Sequence, residues 1–436
     1  MAKVKSKKIT LEEALVPVEE QPYEVPENWC WTYLLNGFAE CKDGNRKPIN
    51  ASERAEREGD IPYYGATGQA GWIDDYLTDE QLVLLGEDGA PFLELLKDKA
   101  YLIEGKAWVN NHAHIIKSHY GEVGNKYILH YLNVFNFHGY VNGTTRLKLT
   151  QASMRTIPVP LPPLAEQKRI VEQIESLFAK LDEAKEKALS VVESFELREK
   201  AIYKKAFEGD LTNSWRAENG IKISEWEEIP FEKLGKLERG RSKHRPRNDK
   251  RLFGGKYPFI QTGDVAGAGM YVTSHKQTLS EFGFEQSRMF PKGTLCITIA
   301  ANIGDAAILS YDCCFPDSVV GFTPGEKCLN KYMYFYLQEI KAELEYIAPA
   351  TAQKNLNLKL LGKVEIKVPS LKEQEKIVEI LEKQINDQEN IVEKAENVIE
   401  TIDVMKKSIL AKAFRGELGT NIETEESAIE LLKSIF

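Results

Sequence analysis

The chain has 436 residues, 42% of them hydrophobic and 10% aromatic, which is long enough for two to four domains with their own cores. No apolar run approaches the roughly 20 residues of a membrane-spanning helix, and the net charge of −9 by itself argues against a nucleic acid partner. The cysteines show neither C-x-x-C nor metal-ligand spacing, so we expect reduced, mostly buried thiols at Cys30, Cys41, Cys296, Cys313, Cys314 and Cys328.

The N-terminal segment, residues 1–25, opens with basic residues that no apolar stretch follows. This pattern does not resemble a secretory signal. We therefore expect a cytoplasmic protein without membrane contact.

Residues 26–160 predict a first globular domain. They are rich in glycine, aromatic residues and short apolar runs such as Gln81-Leu-Val-Leu-Leu85, with turn signals at Gly65 and at Asp88-Gly89. The pattern is typical of a mixed α/β domain with substantial sheet.

Residues 161–212 predict a long central helix. Pro162 and Pro163 precede it and Gly209 closes it, as helix start and stop signals should. Between them neither proline nor glycine interrupts the pattern, so we expect one continuous helix. Apolar residues step alternately by four and three, as in a coiled-coil seam, at Ile170, Ile174, Leu177, Leu181, Ala184, Ala188, Val191 and Phe195.

Residues 213–368 predict a second α/β domain, with apolar runs at 295–299 and 307–310. Its charge departs from the chain average, because only Glu232, Glu238 and Asp249 oppose ten basic residues between positions 231 and 260. Local patches, not the net charge, decide nucleic acid binding. The ten are Lys233, Lys236, Arg239, Arg241, Lys243, Arg245, Arg247, Lys250, Arg251 and Lys256.

Residues 369–418 repeat the central helix, and residues 419–436 form a C-terminal tail. Pro163-Leu-Ala-Glu-Gln-Lys-Arg-Ile-Val-Glu172 matches Ser370-Leu-Lys-Glu-Gln-Glu-Lys-Ile-Val-Glu379, and 205–211 matches 412–418, both at an offset of 207. A preserved length indicates a rod whose length is itself specified. The second seam comprises Ile377, Leu381, Ile391, Ala395, Val398, Ile402, Met405 and Ile409, interrupted by Gln384 and Gln388.

The fold class that follows is α/β (α+β): two globular domains alternating with two long helices, with approximate two-fold symmetry. We predict that the helices pair with each other as an antiparallel coiled coil; the alternative is two separate coiled coils with other chains. On DNA, two divergent domains at the ends of matched helices are suited to reading two half-sites at a set distance.

The helix motifs resemble those of specificity subunits of type I restriction–modification systems. The resembling segments are Leu-Pro-Pro-Leu-Ala-Glu-Gln (161–167), Val-Pro-Ser-Leu-Lys-Glu-Gln (368–374), Ala-Phe-Glu-Gly-Asp-Leu-Thr-Asn-Ser-Trp-Arg (206–216) and Ala-Phe-Arg-Gly-Glu-Leu (413–418). The sequence departs from a strict repeat after Gly419, where Trp215-Arg216 has no counterpart.

The resemblance implies a non-catalytic DNA reader that binds double-stranded DNA and directs its partners. Each globular domain would be a target-recognition domain for one half of a bipartite, asymmetric site. Two methyltransferase subunits would dock on the helices and use S-adenosylmethionine, and two motor–nuclease subunits would use ATP and magnesium. Consistent with this, the sequence contains no Asn-Pro-Pro-Phe or Asn-Pro-Pro-Tyr motif and no nucleotide-binding G-x-x-x-x-G-K-[ST] loop.

Phosphate contacts are predicted on basic loops that contain glycine or proline. The stronger candidate runs from 239 to 250 and the weaker from 44 to 47. These are Arg239, Arg241, Lys243, Arg245, Arg247 and Lys250, and Gly44, Arg46 and Lys47. A solvated basic loop is the alternative interpretation.

Base contacts require hydrogen-bonding side chains at the tips of the domains. The candidates are Tyr63, Tyr64, Thr67, Gln69, Asn110, Asn111, His112 and His114 in the first domain, and Gln261, Thr262, Asp264, Thr298, Asn302, Gln353, Lys354 and Asn355 in the second. Ordinary polar surface explains each of them equally well. A metal pair at His112 and His114 lacks a third ligand in the sequence, so we expect no metal site.

Glu166-Gln167 and Glu373-Gln374 fall in the first turn of each long helix, where a carboxylate favours the helix dipole. Two functional alternatives stay open. The reader could serve a modification-only or fused methylase–nuclease enzyme, or the chain could be a coiled-coil scaffold that binds no DNA.

Overall fold

The computed structural model describes residues 9–348 and 356–436 and divides into two units. Unit 1 comprises Met1–Leu189 with Glu396–Phe436, and unit 2 comprises Ser190–Ala395. In the described part of the chain, no helix is both long and apolar enough to span a bilayer.

The strands of unit 1 are β1 (Cys30–Tyr33), β2 (Ala39–Cys41), β3 (Ile61–Gly65), β4 (Gly68–Ile73), β5 (Thr78–Asp79), β6 (Leu82–Gly86), β7 (Ala100–Ile103), β8 (Lys106–Val109), β9 (Ala113–Ser118), β10 (Val141–Asn142), β11 (Lys148–Leu149) and β12 (Pro158–Leu161). They form two four-stranded sheets, β2-β9-β6-β7 and β4-β3-β8-β5, and two pairs, β1-β12 and β10-β11. Every residue of β6 is buried, as expected for the apolar run predicted there.

The strands of unit 2 are β13 (Glu227–Pro230), β14 (Gly235–Arg239), β15 (Phe253–Phe259), β16 (Tyr271–Val272), β17 (Gln277–Leu279), β18 (Met289–Phe290), β19 (Leu295–Thr298), β20 (Ala306–Leu309), β21 (Cys313–Cys314), β22 (Val319–Pro324) and β23 (Glu365–Val368). Their order, β14-β22-β19-β20-β16, β17-β15-β21-β18 and β13-β23, repeats that of unit 1 with β16 added and without a counterpart of the pair β10-β11. The two units therefore share a topology that their sequences barely reveal.

Fifteen α-helices lie in the described residues. They are α1 (Leu11–Ala14), α2 (Ala51–Ala55), α3 (Gly121–Val134), α4 (Gln151–Met154), α5 (Leu164–Glu193), α6 (Phe195–Phe207), α7 (Asn213–Asn219), α8 (Phe231–Leu234), α9 (Thr262–Ala266), α10 (Glu281–Glu285), α11 (Asn330–Glu339), α12 (Lys341–Ile347), α13 (Leu358–Gly362), α14 (Leu371–Ala413) and α15 (Ala428–Lys433). A π-helical turn spans Leu34–Phe38.

The predicted distal helix is continuous over 43 residues. The prediction of an unbroken central helix was wrong, because the central helix divides at Ser194 into α5 and α6. The Ser194 hydroxyl donates to the carbonyl of Ser190 at 2.6 Å, a bond to the preceding turn of the kind that bends helices. Gly209 and Gly416 follow the helix ends with positive φ, which favours glycine there.

The long helices contact each other in each unit, and in unit 1 they pair in the antiparallel sense. In unit 1, Lys185 Nζ lies 2.8 Å from Asp403, and Lys406 contacts Asp182, so that residue numbers rise on one helix as they fall on the other. In unit 2, Arg198 Nε donates to Oε1 of Gln388 at 2.7 Å. Gln388, a polar interruption of the predicted seam, thus has a specific partner on α6.

Part of the predicted seam stays open to solvent. Ile391, Val398 and Met405 are each more than a third exposed, whereas Ile377, Leu381, Ala395 and Ile402 are buried. The three exposed residues follow one another at seven-residue intervals along α14, so they form an apolar stripe on one face of this helix.

Each long helix begins at a fully buried carboxylate. Trp29 Nε1 donates to Glu166 at 2.7 Å, and Asn421 Nδ2 donates to the same oxygen at 2.8 Å. In unit 2, Trp226 Nε1 donates to Glu373 at 3.0 Å, and Arg216 Nη1 donates to its other oxygen at 2.8 Å. These carboxylates do more than favour a helix dipole, because each joins the start of its domain to the segment that follows the opposite long helix.

The segment predicted as a C-terminal tail packs into unit 1. Ala428 and Leu432 on α15 belong to the same core as Leu34 and Phe38 of the π-helical turn. The amide of Asn28 donates to the carbonyl of Ile422 at 3.1 Å. The core of unit 1 therefore includes residues from both ends of the sequence.

Candidate nucleic-acid interface

Five loops of unit 1 contact one another and bring together most of the candidates there. The Asn110 amide donates to the carbonyl of Tyr64 at 3.0 Å, the Glu87 amide to His112 at 2.8 Å and the Gly89 amide to Leu147 at 3.1 Å. Arg46 Nη1 reaches the carbonyl of Ala113 at 3.0 Å. We call this set the first loop cluster; it comprises residues 43–47, 64–69, 86–90, 110–114 and 143–149.

The candidates in this cluster differ in how accessible they are. Lys47, Thr67, Gln69 and Asn111 are exposed, as is Gly44 in the turn Asp43–Asn45. The four polar side chains are accessible to a ligand, and Gly44 offers its backbone.

The two tyrosines and Asn110 are held inside unit 1. Tyr63 is only 2% exposed, and its hydroxyl donates to the carbonyl of Ile49 at 3.4 Å. Tyr64 packs against Tyr101 with ring centroids 5.8 Å apart. The buried Asn110 accepts from the His112 amide at 2.8 Å and so shapes the turn between β8 and β9.

Carboxylates of the cluster hold its cations in place. Glu87 contacts Arg46 at 2.5 Å and Lys148 at 2.9 Å, and Asp88 contacts Arg146 at 2.8 Å. Burial raises the pKa of Glu87, but hydrogen bonds from Arg46 and Lys148 outweigh burial and the net pKa is lowered. Arg46 is therefore engaged within the unit, and its phosphate contact stays a prediction.

His112 and His114 belong to different networks. His112 Nδ1 lies 2.7 Å from Asp88. Buried His114 lies between two acceptors, Asp43 at 2.7 Å from Nδ1 and the carbonyl of Leu149 at 3.0 Å from Nε2. The pKa of Asp43 is lowered, because hydrogen bonds from His114 and Gln151 outweigh the opposing effect of burial.

Cys41 joins Asp43 and His114 in a group whose potential ligand atoms lie within 4.8 Å of one another. Burial raises the pKa of the Cys41 thiol to about 12, which disfavours the thiolate that binds metals. Both ring nitrogens of His114 already face acceptors. The donor set therefore suits a buried hydrogen-bond network better than a metal ion.

Three candidates of unit 2 line one cavity of about 140 Å³. Arg241 and Arg247 come from the basic loop, by which we mean residues 239–251, and Gln261 comes from the turn after β15. The amides of Arg241 and Lys243 anchor this loop by donating to the carbonyls of Phe315 and Gln286, at 3.1 and 3.2 Å.

The other cations of the basic loop are placed differently. Lys243 and Lys250 are exposed, and Arg245 donates to the carbonyls of Ser242 and His244 in its own loop. Arg247 forms two bonds of 2.8 and 2.9 Å with the carboxylate of Asp317, and Arg239 donates to the Asp317 carbonyl. Asp317 thus fixes two arginines and leaves the lysines to solvent.

Four further candidates of unit 2, Thr262, Asp264, Thr298 and Asn302, do not line the cavity. Thr262 begins α9, and Asp264 accepts from the Gln261 amide at 2.8 Å. Thr298 is buried and donates to the carbonyl of Asn302, whose side chain is exposed. The candidates Gln353, Lys354 and Asn355 lie outside the described residues.

Sequence analysis did not find several residues that build these surfaces. Asp88 and Arg146 in unit 1, and Gln286 and Asp317 in unit 2, each contact a candidate or line the cavity. No recognisable sequence motif marks these positions: Arg146 follows a glycine turn at Gly143, and Asp317 is an isolated acid. Their proximity arises from strand pairing between distant segments, and a single sequence does not disclose that pairing.

Comparison with known proteins identifies one family. The family model described as the type I restriction modification DNA specificity domain matches residues 26–194 and 223–401. A putative type I restriction enzyme specificity subunit from Haemophilus influenzae is 30% identical over 360 residues, which cover 80% of this chain and 86% of that protein. The EcoBI specificity subunit from Escherichia coli is 24% identical over 343 residues, 70% and 69% of the two chains.

Solved structures share the fold. The HsdS subunit from Thermoanaerobacter tengcongensis aligns with a TM-score of 0.62 and 18% identity, covering 92% of this chain and all of that one. A chain from structures of the type I R-M system aligns with a TM-score of 0.65 and 17% identity, covering 91% and 100%. The predicted fold class, mixed α/β domains with long helices, is confirmed.

Proposed function

Because the chain belongs to the family of type I restriction–modification DNA specificity proteins, we propose that it reads a bipartite, asymmetric DNA sequence, one half-site with each unit. One observation carries this proposal: the units repeat the same strand order but present different side chains. In the first loop cluster, Glu87 and Asp88 hold Arg46, Arg146 and Lys148, and Lys47 lies over the Trp108 ring. The basic loop of unit 2 instead leaves Lys243 and Lys250 unpaired among the described residues. Unlike surfaces on a common scaffold suit unlike half-sites.

The long helices are the proposed docking surface for two adenine methyltransferase subunits, and two motor–nuclease subunits complete the restriction complex. The apolar stripe of Ile391, Val398 and Met405 supports this role, because large exposed apolar side chains in a row are typical of interaction sites.

This chain itself is proposed to be non-catalytic and cytoplasmic. S-adenosylmethionine, ATP and magnesium are assigned to the partner subunits.

We further propose that the length of the paired helices sets the number of unspecified base pairs between the half-sites. The unbroken course of α14 over 43 residues supports this idea, because a helix rises by a fixed 1.5 Å per residue.

Methylome sequencing of a host that carries this chain with the methyltransferase subunit of its own system tests the proposal. We expect methylated adenines in one bipartite motif with a fixed spacer, and none in a host that carries the methyltransferase alone. Methylation without a defined motif, or a motif of a single uninterrupted block, would refute it. In a parallel assay, duplex binding that does not weaken with salt would identify a scaffold instead of a DNA reader.

A further inference from the structure

Arg241 lies in the wall of the unit 2 cavity with a polar atom that has no partner. Its Nε is fully buried and forms no hydrogen bond to any described residue. The side chain makes no ion pair there either, although the backbone amide donates to Phe315. Buried polar groups in folded proteins are nearly always bonded, to protein or to ordered water, so the Arg241 guanidinium has hydrogen-bonding capacity that the described residues leave unused.

The carboxylates around Arg241 are already engaged. Asp317 binds Arg247 at 2.8 Å, and Glu238 binds Arg288 at 2.8 Å. Asp249 binds Arg251 at 2.7 Å and His244 at 2.8 Å. Since an uncompensated, partly buried cation is unfavourable, a ligand group that brings hydrogen-bond acceptors into the cavity would stabilise the Arg241 guanidinium.

The rest of the cavity wall indicates what kind of group carries those acceptors. Leu252, Phe253, Phe259 and Leu279 provide hydrocarbon, and the amides of Gln261 and Gln286 provide polar edges. A hydrocarbon wall of this kind would desolvate a phosphate at a cost, which favours an uncharged ligand group over a phosphate.

We propose that this cavity receives the major-groove edge of a guanine in the half-site of unit 2 and that Arg241 determines this base. Guanine is the base that presents two adjacent acceptors, O6 and N7, on this edge, and arginine pairs with both at once. The inference rests on the proposed function of the chain as a DNA reader, and it assigns Arg241 a role distinct from the phosphate contacts of its neighbours.

The test uses the complete chain with the methyltransferase subunit of its system. Arg241→Lys keeps the charge but cannot form the paired bonds of a guanidinium. We expect the methylome of this variant, and of Arg241→Ala, to lose discrimination at one guanine by between about fivefold and a hundredfold while every other position is retained. Lys250→Ala is the matched control, because it removes an exposed cation of the same loop outside the cavity; it should lower methylation evenly over all sites.

Three results would overturn the assignment while leaving the proposed function intact. These are a wild-type motif without guanine, variants with an unchanged motif, and variants that weaken all sites evenly as Lys250→Ala does. A wild-type complex without any motif would instead contradict the proposed function.

A substituted duplex provides a second test that alters the DNA instead of the protein. Replacing that guanine with 7-deazaguanine removes N7 and should weaken wild-type binding at least about fivefold. It should not weaken binding by Arg241→Ala further, and an equal loss in both proteins would overturn the assignment.

Discussion

Glu373 and Arg216 form a buried ion pair in unit 2, with 2.8 Å between Oε1 and Nη1. Both side chains are shielded from solvent, and Arg216 also donates to the carbonyl of Gly209 at 2.7 Å. Glu166, at the matching position of unit 1, instead accepts from the neutral side chains of Trp29, Thr420 and Asn421. The repeat thus preserves the carboxylate and varies the groups that satisfy it.

The ion pair makes Arg216 important for the stability of unit 2. Arg216→Ala leaves the Glu373 carboxylate buried without its cation, and we expect a loss of about 3–5 kcal/mol in the free energy of unfolding. Urea denaturation, combined with hydrogen exchange measured separately for each unit, gives this loss in unfolding free energy. Lys327→Ala is the control, because it breaks an ion pair that is mostly exposed and should cost less than about 1 kcal/mol. Equal effects would contradict the prediction.

The helix α15 should stabilise unit 1. Leu432 is fully buried, so Leu432→Ala is expected to cost about 2–5 kcal/mol. Ile429→Ala on the same helix truncates a side chain that is 36% exposed and serves as the matched control. Hydrogen exchange should quicken in unit 1 for Leu432→Ala and stay at wild-type rates in unit 2. Loss of protection in unit 2 alone would show that the helix acts elsewhere.

Acid should destabilise unit 1 through His130. Burial lowers the pKa of this imidazole to about 4, whereas an unfolded histidine titrates near 6.5. Between these values the unfolded chain binds a proton that the folded unit does not, so stability is lost as the pH falls from about 6.5 to about 4. Since His130 is partly accessible to solvent, we expect an effect on the order of 2 kcal/mol.

His130→Phe should flatten this dependence and retain the edge contact with Phe178. Unfolding free energies at pH 7, 5.5 and 4.5 provide the measurement. His138→Gln, at an exposed position, should leave the profile as it is. A slope that persists in His130→Phe would assign the acid sensitivity to other groups.

The exposed cations of the basic loop should contribute affinity without sequence preference. Replacing Lys243, Arg245 and Lys250 together with alanine should weaken binding to specific and unrelated duplexes by a similar factor. It should also reduce the slope of log affinity against log salt concentration by up to about 3. A salt titration by fluorescence anisotropy measures both. An unchanged slope would remove this loop from the interface.

Shortening the paired helices should shorten the spacer of the recognised site. Residues 183–189 and 399–405 face each other, as the contact of Lys185 with Asp403 indicates, and removing both segments preserves the heptad phase. Seven residues correspond to roughly 10 Å of helix, or about three base pairs. Methylome sequencing of the shortened protein reads the spacer directly, and an unchanged spacer would disprove the ruler model.

The long helices were predictable because their signals are local. The seven-residue pattern from Ile170 onwards, the prolines before it and Gly209 after it all lie within one continuous stretch. The break at Ser194 was not predictable from these signals, because a serine hydroxyl within a helix has other ways to be satisfied. The burial of Glu166 depends on residues 420 and 421, far along the chain, and only the fold brings them together.

The candidate site was predictable in composition but not in geometry. The density of arginine and lysine between 239 and 251 identified the loop. Which of these cations is free depends on Asp317, contributed from more than 60 residues away, and no local pattern distinguishes Arg241 from Arg247. The shared topology of the two units was hidden for a similar reason, since short strands such as β5 and β18 carry too few residues for a pattern.

The split composition of unit 1 determines the order in which the protein can complete its folding during synthesis. All of unit 2 has been translated once residue 395 has been added, whereas the core of unit 1 still awaits Ala428 and Leu432. Unit 1, whose first residues are synthesised before those of unit 2, therefore completes its core after unit 2. Its apolar surface around Leu34 and Phe38 stays uncovered in the interval.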